Sequence, residues 1–398
     1  MERERIWALV DTQREFVLAA RRHLHRHPEL SFQEHETAAY VAARLREMGY
    51  TPRTGLGRSG TGLIAVLEGG RPGPALALRA DMDALPVQEL TDLPFRSVRD
   101  GVMHACGHDA HTAVLLGAAR ALMAVREQVP GRVVFLFQHA EEWPPGGALE
   151  LIAAGALDGV EAVFGLHQGT DLNAGQMGFT AGPRQASADT FTLTVHGRGG
   201  HGAFPHRTVD AVQVAALVVT ALHEIVSRRV PPLQPAVLSI GAIHGGTAPN
   251  VIAPEVTLRG TVRALDASVR DLMPREIERV AHGVAAAWGA EVTLDYQRGY
   301  PVLVNDPGMT EVARRAAVLA LGPENVVMGL PPVMAGEDFA YYLERVPGCF
   351  ATLGVGMPGS SDRSPSHSGA FLLDEAALPC GVAYYVALVT NFTRLRAE

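Results

Sequence analysis

Short apolar runs bounded by glycine and proline alternate along this chain with stretches of helical spacing, and midway the order of that alternation changes. Residues 4–25 carry apolar positions at helical spacing (Trp7, Val10, Phe16, Ala19, Ala20, Leu24) and stop at His27-Pro28, where proline ends a helix. A second helix is expected over 37–48, closing on Gly49. The runs 63–67, 75–78, 133–137 and 162–166 read as strands, with a helix over 110–125. Strands alternating with helices imply an α/β fold, a mostly parallel sheet covered by helices. From 185 to 297 the pattern is different. Strands are expected at 191–195, 237–243, 251–262 and 291–296, and helices at 209–226 and 268–287. That β-α-β-β-α-β order is a ferredoxin-like unit. After Pro301 the α/β pattern resumes, with a helix at 309–321 and a strand at 349–353. The 398 residues therefore suit two domains, a discontinuous one over 1–184 and 298–398 and an inserted one over 185–297.

Composition narrows the chemistry. There is no lysine: all 34 residues counted as Lys+Arg are arginine. That excludes Schiff-base catalysis, pyridoxal phosphate anchoring and the Walker A lysine together. A net charge of -8 with no basic stripe argues against a nucleic-acid binder. No unbroken apolar run reaches a membrane span, and Met1–Arg5 has no apolar h-region, so neither a membrane protein nor a signal peptide is expected. Three cysteines (Cys106, Cys349, Cys380) make no disulfide framework and fit a reducing cytoplasm.

The residues able to hold a metal collect at the expected strand ends, where open α/β sheets bind their ligands. The run ending at Ala80 delivers Asp81 and Asp83, and the run 133–137 delivers His139, Glu141 and Glu142. The run ending at Leu166 delivers His167, and the one near Leu353 leads into a Gly/Ser/Pro-rich loop carrying His367. Between them lies His104-Ala105-Cys106-Gly107-His108-Asp109-Ala110-His111, directly before a helix. A lone buried histidine is more often a satisfied core residue, and adjacent glutamates are usually solvated. Glu141-Glu142 straight after an apolar run is a poor place for idle charge, however, and wants a cation. A cysteine ahead of a helix N-terminus is expected to have a lowered thiol pKa, and Gly107 lets Cys106 and His108 turn toward one centre. Four strand ends agreeing outweighs the bland reading of each.

These residues sit in longer motifs: His25-Arg26-His27-Pro28-Glu29-Leu30, Arg79-Ala80-Asp81-Met82-Asp83-Ala84-Leu85-Pro86, and Met103 to Asp109. Gly165-Leu166-His167, Gly199-Gly200-His201, Pro249-Asn250-Val251-Ile252, Glu337-Asp338-Phe339 and His367-Ser368 follow. In that order, nearly end to end, the chain resembles the aminoacylase/carboxypeptidase superfamily of two-metal hydrolases, in its amidohydrolase branch. That branch holds hippurate hydrolases, N-acyl-amino-acid deacylases and hydrolases of indole-acetyl amino acids. The resemblance implies two divalent metal ions per subunit, bridged by Cys106, one completed by His108 and His167, the other by Glu142 and His367. It implies Glu141 as general base on a metal-activated water, and Asp83 as a carboxylate that orients a ligand. No ligand role is carried to Asp81. His201 is implied to polarise the scissile carbonyl from the partner subunit, and Asn250 and Arg263 to touch substrate from the inserted lid and dimerisation domain. Thiolate and imidazole favour zinc by softness; the oxygen ligand and open positions leave manganese, cobalt and nickel.

The expected activity is hydrolysis of the amide of an N-acyl amino acid by a cytoplasmic homodimer or tetramer. A metallo-carboxypeptidase or dipeptidase on the same scaffold is the near alternative. A non-catalytic small-ligand binding protein is the distant one, against which an intact Glu141 weighs. Two departures from the family pattern stand out. His139 and Trp143 flank the glutamates where proline and a small residue are usual, which would reshape an acyl pocket, and Gly336 replaces a common serine.

Overall fold

The computed structural model describes residues 1–359 and 363–397. They form two compact units: Met1–Gly182 with Val304–Pro331 and Asp338–Glu398, and Pro183–Leu303 with Pro332–Glu337. The chain thus crosses out of the second unit at Leu303, and returns to it only for the short stretch Pro332–Glu337.

The first unit begins with three helices, α1 (Arg3–Asp11), α2 (Arg14–Arg26) and α3 (His35–Glu47). The single helix expected over 4–25 is broken at Thr12-Gln13. There the Thr12 hydroxyl and the Gln13 amide both bond the Leu9 carbonyl, in competition with the helical ladder. The strands β1 (Arg53–Leu56), β2 (Gly62–Glu68), β3 (Arg71–Asp81), β4 (Pro130–Gln138) and β5 (Ala162–Asn173) follow, with α4 (His108–Ala124) between β3 and β4. With Gly348–Gly356, Met177–Phe179 and Val326–Met328 they make an eight-stranded sheet in the order β1, β2, β4, β3, β5, then those three.

Its centre is parallel. β3 runs parallel to β4 and β5, and β5 to Gly348–Gly356. The edge pairings β1–β2, β2–β4 and Gly348–Gly356 with Met177–Phe179 are antiparallel. Val133–Gln138 is buried at every position, as a central strand covered by helices requires. Helix Leu378–Ala397 packs on α4 and on the helix Pro307–Leu321. Two stretches have the length and mean hydropathy of a membrane span, Ala211–Arg228 and Glu375–Ala397; the second is mostly buried in this core.

The second unit is a four-stranded antiparallel sheet ordered Ala236–Gly245, Glu255–Ala264, Ala188–His196, Glu291–Tyr300. That is the ferredoxin-like order, with helices Ala211–Arg228 and Ala267–Ala287 packed on the sheet. The helices are capped by Asp210 and Asp266, each accepting two backbone N–H groups. A core of its own, including Phe191, Val218, Leu222, Leu258 and Ile277, holds it together. The strand expected over 251–262 is two pieces, Val251–Ile252 and Glu255–Ala264, because Pro254 has no N–H to continue a ladder.

Candidate metal centre

Within the first unit the carboxyl ends of the central strands converge. β3 ends in Asp81, and Asp83 lies two residues on; β4 ends at Gln138 and turns through Ala140 into Glu141 and Glu142; β5 carries His167. Gly107 adopts φ 77 immediately before α4, so Cys106 and His108 flank a left-handed turn at a helix start. A Cβ at Gly107 would sit 2.6 Å from Gln168 Cγ, so the turn also needs the missing side chain. His367 itself has φ 67, its N–H donating to Ala105 O at 2.8 Å. Residues 360–362 of its loop lie outside the described residues.

Two donor sets result, and they share one atom. Cys106, His108 and His167 place their ligand atoms within 4.8 Å of one another, and so do Cys106, Glu142 and His367. Cys106 Sγ lies 3.4 Å from His167 Nε2, and Glu142 Oε1 lies 3.3 Å from His367 Nε2 and 3.7 Å from His108 Nε2. His108, Glu141 and Glu142 form a further set within the same distance. His108 Nε2 and Glu142 Oε1 are buried without a hydrogen-bond partner. A bound cation answers both orphans. The donors, thiolate, imidazole and carboxylate, suit a borderline-soft divalent ion.

The electrostatics tell the same story. Burial, then the His111 charge, holds His167 down to about 3, a neutral imidazole with Nδ1–H donated to Gln168 O and Nε2 facing Cys106. Burial opposes charge on His108, yet Asp81, Asp83 and Cys106 outweigh it and hold the ring well above its ordinary value. Cys106 and Glu142 push His367 up to about 10. The Cys106 thiol moves opposite to the sequence expectation: burial and the Glu142 charge raise it, and the helix start does not overcome them. Cations in this cluster would reverse that balance.

Around the donors is a buried shell of partners. Asp83 accepts from His108 Nδ1 (3.2 Å), Ser31 Oγ (2.6 Å) and Glu142 N (2.9 Å), so it fixes both a histidine and the turn carrying the glutamates. Asp81 is engaged at both oxygens, by His111 Nδ1 at 2.6 Å and Arg79 Nη1 at 2.7 Å. Arg79 continues to Asp338 at 2.8 Å and to Gln138 at 3.0 Å, and Gln138 donates to Asp338 as well. Asp338 and Arg79 belong to motifs quoted from the sequence, but no role was read for them. Glu34 was missed altogether. It is fully buried and bonded to the backbone of Ala140, and burial together with the Asp83 charge pushes it up to about 7.

His139 is a correction. It is wholly buried, bonded to Glu150 at 2.9 Å and wedged under Gly57, Gly62 and Gly147, so it packs in the core and shapes no open pocket. Trp143 is 67% exposed. Of the remaining sequence candidates, His201, Asn250 and Arg263 belong to the second unit. His201 lies on the short strand Gly200–His201, exposed, opposite Val251, and Asn250 O accepts from Gly202 N at 2.8 Å, so those two share one ribbon. Arg263 is half-buried on Glu255–Ala264, its pKa lowered by that burial. A Cβ at Gly336 would sit 2.7 Å from Ala188 Cβ and 3.3 Å from Arg263 Nη1, which leaves a serine no room there.

The profile of Peptidase family M20/M25/M40 matches residues 77–391. The N-acyl-L-amino acid amidohydrolase of Geobacillus stearothermophilus is 47% identical over 310 residues, 77% of this chain and 83% of the relative. Thermostable carboxypeptidase 1 of Saccharolobus solfataricus is 37% identical over 381 residues, 95% of this chain and 96% of the relative. Among solved structures, a Bacillus subtilis dinuclear metal binding peptidase of the M20 family superposes with a TM-score of 0.83 at 36% identity, covering 96% of this chain and 99% of that one. With a metal-binding cluster built on an α/β sheet and these relatives, the chain belongs to peptidase family M20/M25/M40, in its amidohydrolase branch, and is an enzyme acting on amides.

Proposed function

We propose that the enzyme hydrolyses the amide bond of N-acyl amino acids, with Cys106 bridging two metal sites, His108 and His167 completing one, Glu142 and His367 the other. The pair of donor sets sharing Cys106, with Glu141 beside them, carries the metal-assisted hydrolysis, and the 47% identical N-acyl-L-amino acid amidohydrolase supports the acyl substrate. Zinc or manganese is the expected ion. Two divalent ions there would supply Lewis acidity toward a carbonyl oxygen and lower the pKa of attacking water. Glu141, buried next to the ligand Glu142, takes the water's proton and returns it to the leaving amine. Asp83 holds the His108 ring by its Nδ1 and the Glu142 backbone, so ligand and base keep their places.

The second unit acts as lid and dimerisation domain in this reading. Helix Ala211–Arg228 leaves apolar Val212 (47% exposed) and Leu217 (37% exposed) at the two edges of its solvent side. His201 then polarises the scissile carbonyl from the partner subunit, with Asn250 and Arg263 holding the substrate.

A metallo-carboxypeptidase is the second reading, favoured by the Saccharolobus relative. Initial rates on N-acetyl-methionine, hippurate and a set of dipeptides and peptides decide, with metal analysis of the same preparation. The proposal expects release of free amino acid from acyl substrates at the highest kcat/KM and about two ions per chain. Higher kcat/KM on peptides than on every acyl amino acid would hand the assignment to the carboxypeptidase reading.

A further inference from the structure

Three non-glycine residues among those described have positive φ: Phe32 at 65°, Ala140 at 52° and His367 at 67°. Such backbone is held only where its surroundings over-determine it. Ala140 is the residue at which β4 leaves the sheet and turns into Glu141 and Glu142. What holds Ala140 itself is one carboxylate, while Asp83 takes the N–H of Glu142 two residues on. Glu34 Oε1 accepts from Ala140 N at 2.8 Å and from Phe32 N at 3.0 Å, so one oxygen holds two of the three strained residues. Glu34 Oε2 accepts from the Thr61 hydroxyl at 2.8 Å, and Thr61 is in turn 2.7 Å from Ser59 Oγ. Glu34 and Ala140 are both fully buried, so no water replaces these bonds if the carboxylate goes.

We propose that Glu34 is a positioning residue of the catalytic site: it holds Ala140 in the left-handed turn that aims Glu141. This rests on the reading of Glu141 as the base. Without the Oε1 acceptor an alanine relaxes toward negative φ, because its Cβ disfavours the left-handed region. That rotation falls directly on the next residue and swings the Glu141 side chain. The acceptor matters here, not the charge. An amide oxygen at the same place takes both N–H bonds, while an amide nitrogen turned to Thr61 donates to its hydroxyl, which is free to donate to Ser59.

Four variants test this together, with Glu141→Gln as reference. Glu34→Met fills the volume and removes the acceptor; it should lower kcat by about 10- to 100-fold with KM and metal content held, since a small misplacement of the base costs on that order. Glu34→Gln should stay within about threefold of wild type, because it keeps the oxygen. Ala140→Gly should be close to wild type, since glycine takes the left-handed turn without cost. The decisive arm is Glu34→Met combined with Ala140→Gly, which should regain most of the lost kcat. If Glu34→Met does not fold, Glu34→Asp, whose oxygens are withdrawn by one methylene, is read in its place. A folded Glu34→Met (or the Glu34→Asp read in its place) with kcat within about twofold of wild type, or a loss that Ala140→Gly leaves untouched, overturns the proposal. If Glu141→Gln itself turns over substrate, the reading of Glu141 has failed instead, and the two failures are separate.

Discussion

At the scale of single residues, the site depends on groups that burial has moved far from their ordinary protonation. His104 is the cleanest case, buried with neither ring nitrogen bonded and pushed down to about 4 chiefly by burial. The unfolded chain binds a proton at an ordinary histidine pKa near 6.5 while the folded chain does not. Stability contributed by the neutral ring is therefore full above pH 6.5 and is lost as pH falls from there toward 4. The expected loss is on the order of 3 kcal/mol. His104→Leu keeps the volume and strands no partner, so urea unfolding of the metal-free variant should show a flatter decline than wild type between pH 6.5 and 4.5. Parallel declines would remove His104 from the account. The same property explains why the Cys106 thiol moved up instead of down: burial is set by the whole fold, and no local motif announces it.

At the scale of elements, the turn into α4 carries the cysteine that the two donor sets share, and it depends on a residue without a side chain. Gly107→Ala should destabilise the protein by roughly 1–3 kcal/mol and weaken metal binding, because it combines positive φ with a clash against Gln168. Gly49→Ala has a similar φ with nothing within 4 Å, so it should cost stability alone. Thermal unfolding with and without chelator separates the two effects; equal metal affinity in both variants would contradict the role of the turn. Much of this element structure was legible in the sequence. The apolar runs of β3, β4 and β5 and the histidines and carboxylates just beyond them are local signals, and so is the order of the insert. The break at Thr12 was not legible, since the apolar spacing runs straight through it and side-chain competition for Leu9 O decides the matter. The buried shell was not legible either. Glu34 finds Ala140 106 residues away, and Arg79 finds Asp338 259 residues away, pairings that spacing rules do not reach. His139 looked like part of the site by adjacency alone, and Glu150 draws it into the core.

At the scale of the whole molecule, the proposed in-trans histidine predicts complementation. Glu141→Gln and His201→Ala should each be nearly inactive as homodimers. Refolded together, about half the dimers are mixed, and each mixed dimer holds one intact site, so activity should return to roughly a quarter of wild type. A well-refolded mixture with no recovery would confine His201 to its own chain or to no catalytic role. The central claim, that Glu141 moves the proton while its neighbour Glu142 holds the metal, is tested most directly by metal content and turnover measured on the same samples of Glu141→Gln and Glu142→Gln. Glu141→Gln should keep both ions and lose nearly all turnover, and Glu142→Gln should lose one ion. Equal metal loss in the two variants would contradict the division of roles on which the mechanism rests.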